Sequence, residues 1–184
     1  MEDKIKYIFE NTNNWLNFAE AKNAALLAFN VAVITAITSS ELLTKSSETL
    51  VFAVSAILII SSIMSMISFI PKTNNSVSQK VYNLTIGIVD EIINRIFKES
   101  NNENLVFYGY ISTFECSQTD EYLAKLKDSY FPNKDIEITK FEKDLAEEII
   151  INSRITQRKY NYFKAAIYIL VIGMILLLLS IIYA

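Results

Sequence analysis

The side chains that could do chemistry in this 184-residue chain are few, and they do not form a catalytic set. The chain has no histidine and a single cysteine, Cys116, so it lacks the usual general base, the usual metal-ligand pairs and an intramolecular disulfide. Its three glycines form no phosphate-binding loop, and its net charge of −3 argues against a basic nucleic-acid binder. We therefore expect no enzyme, no metal site and no nucleic-acid partner.

A basic group in the last third of the chain is the best candidate for binding a phosphate. Arg154 and Arg158 are four residues apart, which places them on one face of a predicted helix, and a guanidinium can bind a phosphate through two parallel hydrogen bonds. Arg158 and Lys159 lie closer to the last apolar stretch, so attraction to anionic lipid is the simpler explanation for them. Arg154 lies farther away, which makes it the leading phosphate candidate.

Three stretches without charge organise the rest of the chain, residues 23–40, 49–71 and 165–184. Each has at least 18 residues, and a helix needs about 20 apolar residues to cross the hydrocarbon core of a bilayer. The first stretch follows 22 residues of mixed charge, which is typical of a retained anchor and not of a cleaved signal peptide. The sequence thus predicts three membrane-spanning helices.

The basic residues predict the orientation of these spans. Lys45 is the only lysine or arginine between the first two apolar stretches, and in the predicted topology the other 16 of the 17 lie on the opposite side of the membrane. Because Lys and Arg accumulate on the cytoplasmic side, we expect the N-terminus and the segment between the second and third spans to be cytoplasmic.

The predicted fold class is an all-α membrane protein with an N-terminal two-helix transmembrane hairpin, a helical cytoplasmic module and a long helix that continues into a third C-terminal span. Its four parts are residues 1–22, an amphipathic cytoplasmic segment; 23–71, the hairpin; 72–162, a cytoplasmic module for sensing or assembly; and 163–184, the third transmembrane helix. The long helix is expected from about Ile138, because its apolar pattern meets no breaker before Gly173.

Within the cytoplasmic module the sequence predicts two further helices and one extended segment. Apolar residues recur at helical spacing over residues 76–100, namely Val77, Val81, Leu84, Ile88, Ile92 and Ile96. Residues with high β propensity around Gly109 predict an extended segment over residues 101–112. Ser117, three residues before Asp120, predicts the start of a helix that Pro132 ends.

Two stripes of small or hydroxyl residues follow the first two predicted spans. The first consists of Ala24, Ala28, Ala32 and Ala36, and the second of Ser61, Ser65 and Ser68. Small residues at this spacing let two membrane helices approach closely, either within one chain, which is favoured here, or between subunits. The serines either form hydrogen bonds between helices, which is again favoured, or line a polar pore in an oligomer.

Four further residues mark the first span and its cytoplasmic end. Asn30 lies mid-span, where its amide needs a partner on another helix or in a polar pathway. Lys22 is expected to anchor at the membrane interface beside Glu20, with Trp15 as an interfacial aromatic residue.

These residues belong to a longer pattern that resembles the Pycsar-type transmembrane effectors of bacterial antiphage defence. Residues 15–34, WLNFAEAKNAALLAFNVAVI, are similar to the N-terminal signature of that family through Trp15, Glu20, Lys22 and Asn30. Three later segments also resemble it: NLVFYGYIS (104–112), DEYLAKL (120–126) and DLAEEIIINSRITQRKYNYFKAAI (144–167). The chain departs from the family pattern at Glu20, where aspartate is usual, and at Tyr110, where an acidic residue is usual.

The resemblance implies a function that the residues alone do not. Such effectors respond to a cyclic pyrimidine mononucleotide, cUMP or cCMP, that a partner nucleotide cyclase makes on phage infection, and they then disrupt the bacterial inner membrane in an abortive infection. It implies a multi-pass homo-oligomer in that lipid bilayer. A site for this ligand needs a guanidinium, expected from Arg154, and an aromatic face, expected from Tyr108. The alternative, from a different class, is a membrane-anchored scaffold for a cytosolic partner that is not gated.

The predicted orientation can be tested by cysteine labelling in intact cells. A Ser47→Cys variant places a thiol in the loop expected outside, so a membrane-impermeant maleimide should label it, whereas Cys116 should react only after permeabilisation. Labelling of Cys116 in intact cells would overturn the orientation.

Overall fold

The computed structural model describes residues 1–39, 48–70, 86–97, 103–132 and 137–182, and over these residues the chain is helical and contains no strand. The α-helices are α1 (Glu2–Ser39), α2 (Glu48–Ile67), α3 (Gly87–Ile96), α4 (Tyr108–Ile111), α5 (Thr119–Tyr130) and α6 (Lys140–Ile182), with a 3₁₀ turn at Cys116–Gln118 before α5. Helices α1 and α6 have 38 and 43 residues. The predicted all-α class and the long helix expected from about Ile138 are confirmed.

The chain forms two compact units, each made from two parts of the sequence. Unit 1 contains Met1–Ala19 and Lys98–Arg158, and unit 2 contains Glu20–Phe97 and Lys159–Ala184. The boundaries fall inside α1 and α6, so each of these helices contributes one end to each unit. Helix α3, which the sequence places in the cytoplasmic module, belongs to unit 2 together with the apolar helices.

Unit 1 has an apolar core to which four helices contribute. Its buried residues are Ile5 and Ile8 of α1, Tyr110 and Ile111 of α4, Tyr122, Leu123 and Leu126 of α5, and Ala146, Ile149 and Ile150 of α6, together with Leu105 and Phe114. The hydroxyl of Tyr122 donates a hydrogen bond to the carbonyl of Leu105 at 2.9 Å. Burial raises the pKa of Tyr122, because the phenolate would lose its hydration, so this group stays a donor.

The start of α6 is fixed by reciprocal capping. The Glu142 carboxylate accepts hydrogen bonds from the amide and the hydroxyl of Thr139 at 2.9 and 3.0 Å, and the Glu142 amide donates to the Thr139 hydroxyl oxygen at 3.2 Å. The ammonium group of Met1 lies 3.9 Å from the other carboxylate oxygen. Because Glu142 is buried, these contacts satisfy a charge that would be costly to bury alone.

Over its described residues, 103–112, the segment around Gly109 consists of turns and one short helix and contains no strand, so the prediction of an extended segment is wrong. Residues Tyr108–Ile111 form α4, and the ring of Phe107 lies against this short helix. A Cβ atom on Gly109 would lie 2.5 Å from Phe107 Cε1. Glycine is therefore needed here for a close approach and not for flexibility.

Helix α5 begins two residues after the expected Ser117. Glu115 and Gln118 form a capping box across the 3₁₀ turn, in which the Glu115 amide donates to the Gln118 side-chain oxygen at 2.8 Å. This arrangement satisfies the amides of Glu115 and Gln118, whereas the predicted pair would have satisfied those of Ser117 and Asp120. The helix ends at Tyr130, two residues before Pro132, as expected.

In unit 2 the apolar parts of α1, α2 and α6 pack around a second core. Its buried residues are Leu26 and Ile37 of α1, Val51, Val54 and Leu58 of α2, and Ala166 and Leu170 of α6. Gly173 lets α2 and α6 approach closely, since a Cβ atom there would lie 3.1 Å from Ile57 Cγ2. Ala166, Gly173 and Ser180 are all buried and recur every seven residues, a spacing that keeps them on one face of α6.

Helix α3 is confirmed from Gly87 to Ile96, whereas Val77, Val81 and Leu84 of the predicted stripe lie outside the described residues. Ile88, Ile92 and Ile96 of the same stripe are exposed, and the buried apolar residue of the helix is Ile93. The periodicity therefore predicted the helix correctly but did not predict which face it buries.

Candidate functional site

Unit 2 carries large apolar side chains on its outside and buries polar side chains beside its apolar core. Its exposed apolar residues include Phe52, Ile59, Ile63 and Met66 on α2 and Val171, Ile172, Ile175 and Leu178 on α6. Its buried polar residues include Asn23, Asn30, Ser61, Ser65, Ser68 and Lys159. An apolar exterior of this extent is unfavourable in water, and hydrogen bonds between buried polar side chains join helices in lipid. The polar interior is therefore the candidate functional site.

Lys159 of α6 is the centre of this interior, because its ammonium group contacts both other apolar helices. Its Nζ atom lies 3.1 Å from Oε1 of Glu20 on α1 and donates a hydrogen bond at 3.2 Å to the carbonyl of Ser68, just past the end of α2. The ring centroid of Phe69 lies 5.1 Å from the same atom. A cation is favourable at this position because the last carbonyl groups of a helix carry partial negative charge.

The backbone of Lys159 is also bonded to α1, since Asn23 Nδ2 donates a hydrogen bond to the Lys159 carbonyl at 3.2 Å. Lys159 is only 7% exposed, whereas the side chain of Glu20 is 46% exposed. The sequence predicted Lys159 to be a phosphate ligand or an anchor at the membrane surface. Both roles need a free ammonium group, and here that group is occupied within unit 2.

Lys22 makes a second contact between α1 and α6. Its Nζ atom lies 5.2 Å from the ring centroid of Tyr160 and 5.5 Å from that of Phe163. These distances are typical of cation–π interactions. Lys22 is therefore held by α6, where the sequence predicted a side chain that extends to the lipid headgroups.

Asn30 and Ser61 form a chain of hydrogen bonds across three helices. Asn30 Nδ2 donates to the Ser61 hydroxyl oxygen at 2.9 Å, and the Ser61 hydroxyl donates to the carbonyl of Ala166 at 2.9 Å. The Ser68 hydroxyl donates to the Ser65 carbonyl at 2.7 Å, within the same helix region. Among the described residues, Asn30 Oδ1 and the Ser65 hydroxyl oxygen are buried without a hydrogen-bond partner. The serine stripe thus lies inside the protomer, and a pore lined by it stays a prediction.

The alanine stripe lies on the outer face of α1. Ala24, Ala28, Ala32 and Ala36 are all exposed, whereas Asn23, Leu26 and Asn30 on the other face are buried. The favoured expectation, close packing within the chain, is therefore wrong, and a contact between subunits stays a prediction. The small residues that do pack within the chain, Ala166 and Gly173, are on α6.

In unit 1 the two aromatic candidates, Trp15 and Tyr108, pack against each other. Their ring centroids are 5.5 Å apart, and the ring of Phe107 lies 6.3 Å from Trp15 and 4.5 Å from Tyr108. Tyr108 is only 6% exposed, so its ring offers no open face for a base. Trp15 belongs to this cluster, where the sequence predicted an aromatic residue at the membrane interface.

Of the basic candidates, Arg154 keeps the exposure that a phosphate ligand needs. It lies on the part of α6 that belongs to unit 1 and is exposed, whereas Arg158, four residues later, is half-buried. Because Tyr108 is buried, the structure does not present Arg154 and Tyr108 as one open site. No group of three His, Cys, Asp or Glu side chains within the described part of the chain is arranged to hold a metal ion.

Several of these contacts have no local signal in the sequence. Glu20 and Lys159 are both conspicuous residues, but they are 139 positions apart, so nothing along the chain pairs them. The capping pair Thr139 and Glu142 has the spacing of a capping box and could have been found from the sequence. The same holds for the seven-residue spacing of the small residues on α6.

The fold and the site define a helical membrane protein. Helices α1 and α6 each contain a segment long and apolar enough to cross a bilayer, and α2 adds a shorter apolar segment over Val51–Ile67. The family model described as the Pycsar effector protein domain (PycTM) matches residues 4–184. The Pycsar effector protein RsPycTM of a Rhizobium species is 30% identical over 154 residues, which cover 81% of this chain and 76% of that relative.

The chain therefore belongs to the Pycsar effector family and is an antiphage defence effector of the membrane. No solved structure matches it.

The signature residues of α1 contact other parts of the chain in this structure. Trp15 packs on Tyr108, Glu20 pairs with Lys159, Lys22 lies against Tyr160 and Phe163, and Asn30 bonds to Ser61. The pattern that carries the family resemblance is thus a set of contacts that position α1 within each unit.

Tyr110, where the resemblance implies an acidic residue, contacts a lysine. Its hydroxyl lies 3.4 Å from Lys125 Nζ, and the ring centroid of Phe114 lies 5.0 Å from the same atom. Hydrogen bonding to Tyr110 raises the pKa of Lys125, because the contact favours the charged ammonium group. Tyr110 thus contacts the cation of Lys125 through a neutral hydroxyl group.

We predict that Lys159→Met destabilises unit 2 more than Glu20→Gln does. The methionine keeps the volume of the side chain but leaves the Ser68 carbonyl and the Glu20 carboxylate without their donor, whereas a glutamine at position 20 still offers an acceptor. A hydrogen bond to a charged group contributes about 2 kcal/mol, and in a chain of this size each kcal/mol shifts the Tm by about 2–4 °C.

Thermal unfolding of the purified protein in detergent measures the difference. Lys140→Met, which removes a charge from an exposed position of the same helix, is the matched control. Equal Tm values for Lys159→Met and Lys140→Met would show that the ammonium group does not hold the helices together.

Proposed function

We propose that this chain is a gated membrane effector. In this proposal an oligomer of the chain crosses the bacterial inner membrane with α1, α2 and α6, its N-terminus lies in the cytoplasm, and unit 1 binds a cyclic mononucleotide, cUMP or cCMP. A nucleotide cyclase acts as the partner that supplies this diffusible messenger. Binding then changes the packing of the spans, and the membrane loses its integrity. Family membership supports the general role, and four structural observations support the particular steps.

The observation that carries the proposal is the continuity of α6. The helix has 43 residues without a break, and it contributes Ile149 and Ile150 to the core of unit 1 and Ala166 and Leu170 to the core of unit 2. A ligand can shift a conformational equilibrium only through contacts that differ between the two states. A helix that belongs to both cores is a physical element through which such a difference in unit 1 acts on the spans.

The contacts of Lys159 are well placed for this coupling. Unit 2 begins at Glu20 on α1 and at Lys159 on α6, and these are the two residues that form the ion pair. A small rotation of α6 would move the ammonium group of Lys159 away from both Glu20 and the Ser68 carbonyl. Both contacts would then weaken, because hydrogen bonds weaken steeply when their geometry is lost. We propose that the pair holds the closed packing and that ligand binding weakens it.

Arg154 is the proposed contact for the phosphate of the ligand. Its exposed guanidinium lies on α6 near the core residue Ile150, so a ligand bound there would act on the helix directly. Tyr108 supports unit 1 through the aromatic cluster with Trp15 and Phe107, and its buried ring is not a contact for the base.

The exposed alanine stripe supports the assembly of the chain into an oligomer. Four alanines at intervals of four residues give α1 a smooth outer face on which a second helix can pack closely. Since these alanines are exposed in the protomer, the partner helix would come from another copy of the chain.

We predict that Arg154→Ala abolishes nucleotide-dependent membrane damage while insertion and assembly are retained. Arg154→Lys, which keeps the charge but loses the planar fork, should retain only part of the response. Lys140→Ala is the matched control, because it removes a charge from another exposed position of α6. Dye uptake and membrane potential in cells supplied with cUMP or cCMP give the response, and calorimetry on the solubilised protein gives the affinity. Unchanged affinity in Arg154→Ala, or no binding by the parent protein, excludes this site.

We also predict that Ala28→Leu and Ala32→Leu prevent assembly, because the larger side chains would hold neighbouring helices apart and remove close contacts. Cellular toxicity should be lost while membrane insertion is kept. Ala53→Leu, the same substitution at an exposed position of α2, serves as the control. The particle size in detergent, measured by light scattering, reports assembly. Full toxicity and unchanged size in both variants would mean that the stripe is not an interface.

A further inference from the structure

Helix α3 carries an apolar stripe that is not covered by any described part of the chain. Ile88, Ile92 and Ile96 are 64, 53 and 67% exposed. They are four residues apart, so they form one face of the helix. Three large isoleucines side by side on a helix of ten residues are more than the scattered apolar exposure that is normal for a surface in water.

The outward direction of this stripe is fixed by polar contacts on the other side of α3. The Tyr162 hydroxyl donates a hydrogen bond to Asp90 Oδ1 at 2.6 Å, and Asn161 Nδ2 donates to Asn94 Oδ1 at 2.9 Å. Ile93 packs in the same cluster as Tyr162. The helix is therefore held firmly against α6, and the isoleucines point away because of these bonds.

The position of α3 along α6 places it at the edge of the predicted third span. Its first turn bonds to Tyr162, and Phe97 at its end stacks on Tyr168, with parallel rings and centroids 5.8 Å apart. Residues 162 and 168 are separated by about 9 Å along a helix. The charge-free stretch of α6 begins at residue 165, between these two contacts.

The end of α2 also lies beside α3, at the edge of the predicted spans. Met64 and Ile67, in its last turn, pack in the cluster that contains Ile93 of α3. Phe69 and Ile70, which follow α2, are exposed apolar residues. The end of the second predicted span and the start of the third thus lie beside the same helix.

We propose that α3 is an interfacial helix whose Ile88, Ile92 and Ile96 insert into the cytoplasmic leaflet of the bilayer. Interfacial helices bury their apolar face about 5–10 Å into the boundary between headgroups and acyl chains. Arg95 and Glu91, which form an exposed ion pair at 2.8 Å, lie on the adjacent face, where headgroups and water are available. The helix thus has the apolar and charged faces of a membrane-surface element.

Lipid, and not a second copy of the chain, is the occupant that the neighbouring surface favours. The exposed ring of Tyr168 stacks on Phe97 and continues the apolar surface from α3 to Val171 and Ile172 of α6. In the proposed topology those residues face the bilayer. The inference therefore rests on the proposed third span, and the experiment must test the two separately.

Spin labelling of the full chain in lipid vesicles tests this inference. In a Cys116→Ser background, single cysteines replace Ile92 on the stripe, Glu91 on the charged face, and Ile175, an exposed residue in the middle of the predicted third span. The proteins are reconstituted into vesicles of phosphatidylethanolamine and phosphatidylglycerol, and nitroxide accessibility to oxygen and to a water-soluble nickel chelate is measured. We expect the ratio of oxygen to nickel accessibility to be severalfold higher at residues 92 and 175 than at residue 91.

Each other result has a distinct meaning. If the label at residue 92 is accessible to nickel while the label at residue 175 is in lipid, α3 lies in water. This result overturns the interfacial helix and leaves the third span in place. Residue 92 protected from both reagents means that protein covers the stripe, which also overturns it and indicates a second copy. Residue 175 accessible to nickel overturns the third span itself and, with it, the proposed topology.

Discussion

The ammonium group of Lys159 is the interaction on which the packing of unit 2 depends. A buried cation needs acceptors on all sides, and in this chain they come from a carboxylate on α1 and from the carbonyl that follows α2. One atom thus joins three helices, and the carbonyl of the same residue accepts a further bond from Asn23. Loss of this group would remove contacts from two helix pairs at once, which is why its effect should exceed that of a surface ion pair.

The two units follow different physical rules, although α1 and α6 take part in both. In unit 1 the buried side chains are mostly apolar and aromatic, as expected where water drives apolar groups together. In unit 2 large apolar residues are exposed, and the specific contacts are polar, as between Asn30 and Ser61, or depend on a small residue, as at Gly173. Lipid gives no hydrophobic drive between helices, so association there needs hydrogen bonds and close packing. The sequence of α6 changes from the first rule to the second near Lys159.

This difference between packing in water and packing in lipid explains which features could be predicted from the sequence. Charge-free stretches predicted the apolar helices, and the absence of a breaker predicted the long α6, because both signals are local. The buried faces could not be predicted in the same way. An apolar stripe marks the interior of a protein in water, but beside a membrane it also marks the exterior, so the exposure of Ile88 and Ile92 could not be inferred from their spacing. Ala24 and Ala28 were expected to pack within the chain for a similar reason, and Glu20 and Lys159 meet only because the fold brings distant residues together.

The buried oxygen atoms of Asn30 and Ser65 that have no partner among the described residues affect how the interior of unit 2 responds to water. An interior lined only by leucine would stay dry, since a water molecule there would find nothing to bond. Here an entering water molecule would find polar atoms that the dry packing leaves unsatisfied, and satisfying such an atom recovers about 1–3 kcal/mol. Hydration would therefore stabilise a loosened arrangement of the helices relative to the dry one. The resting state would then be dry because its helices are held close together, and any loosening that admitted the first water molecule would favour further loosening.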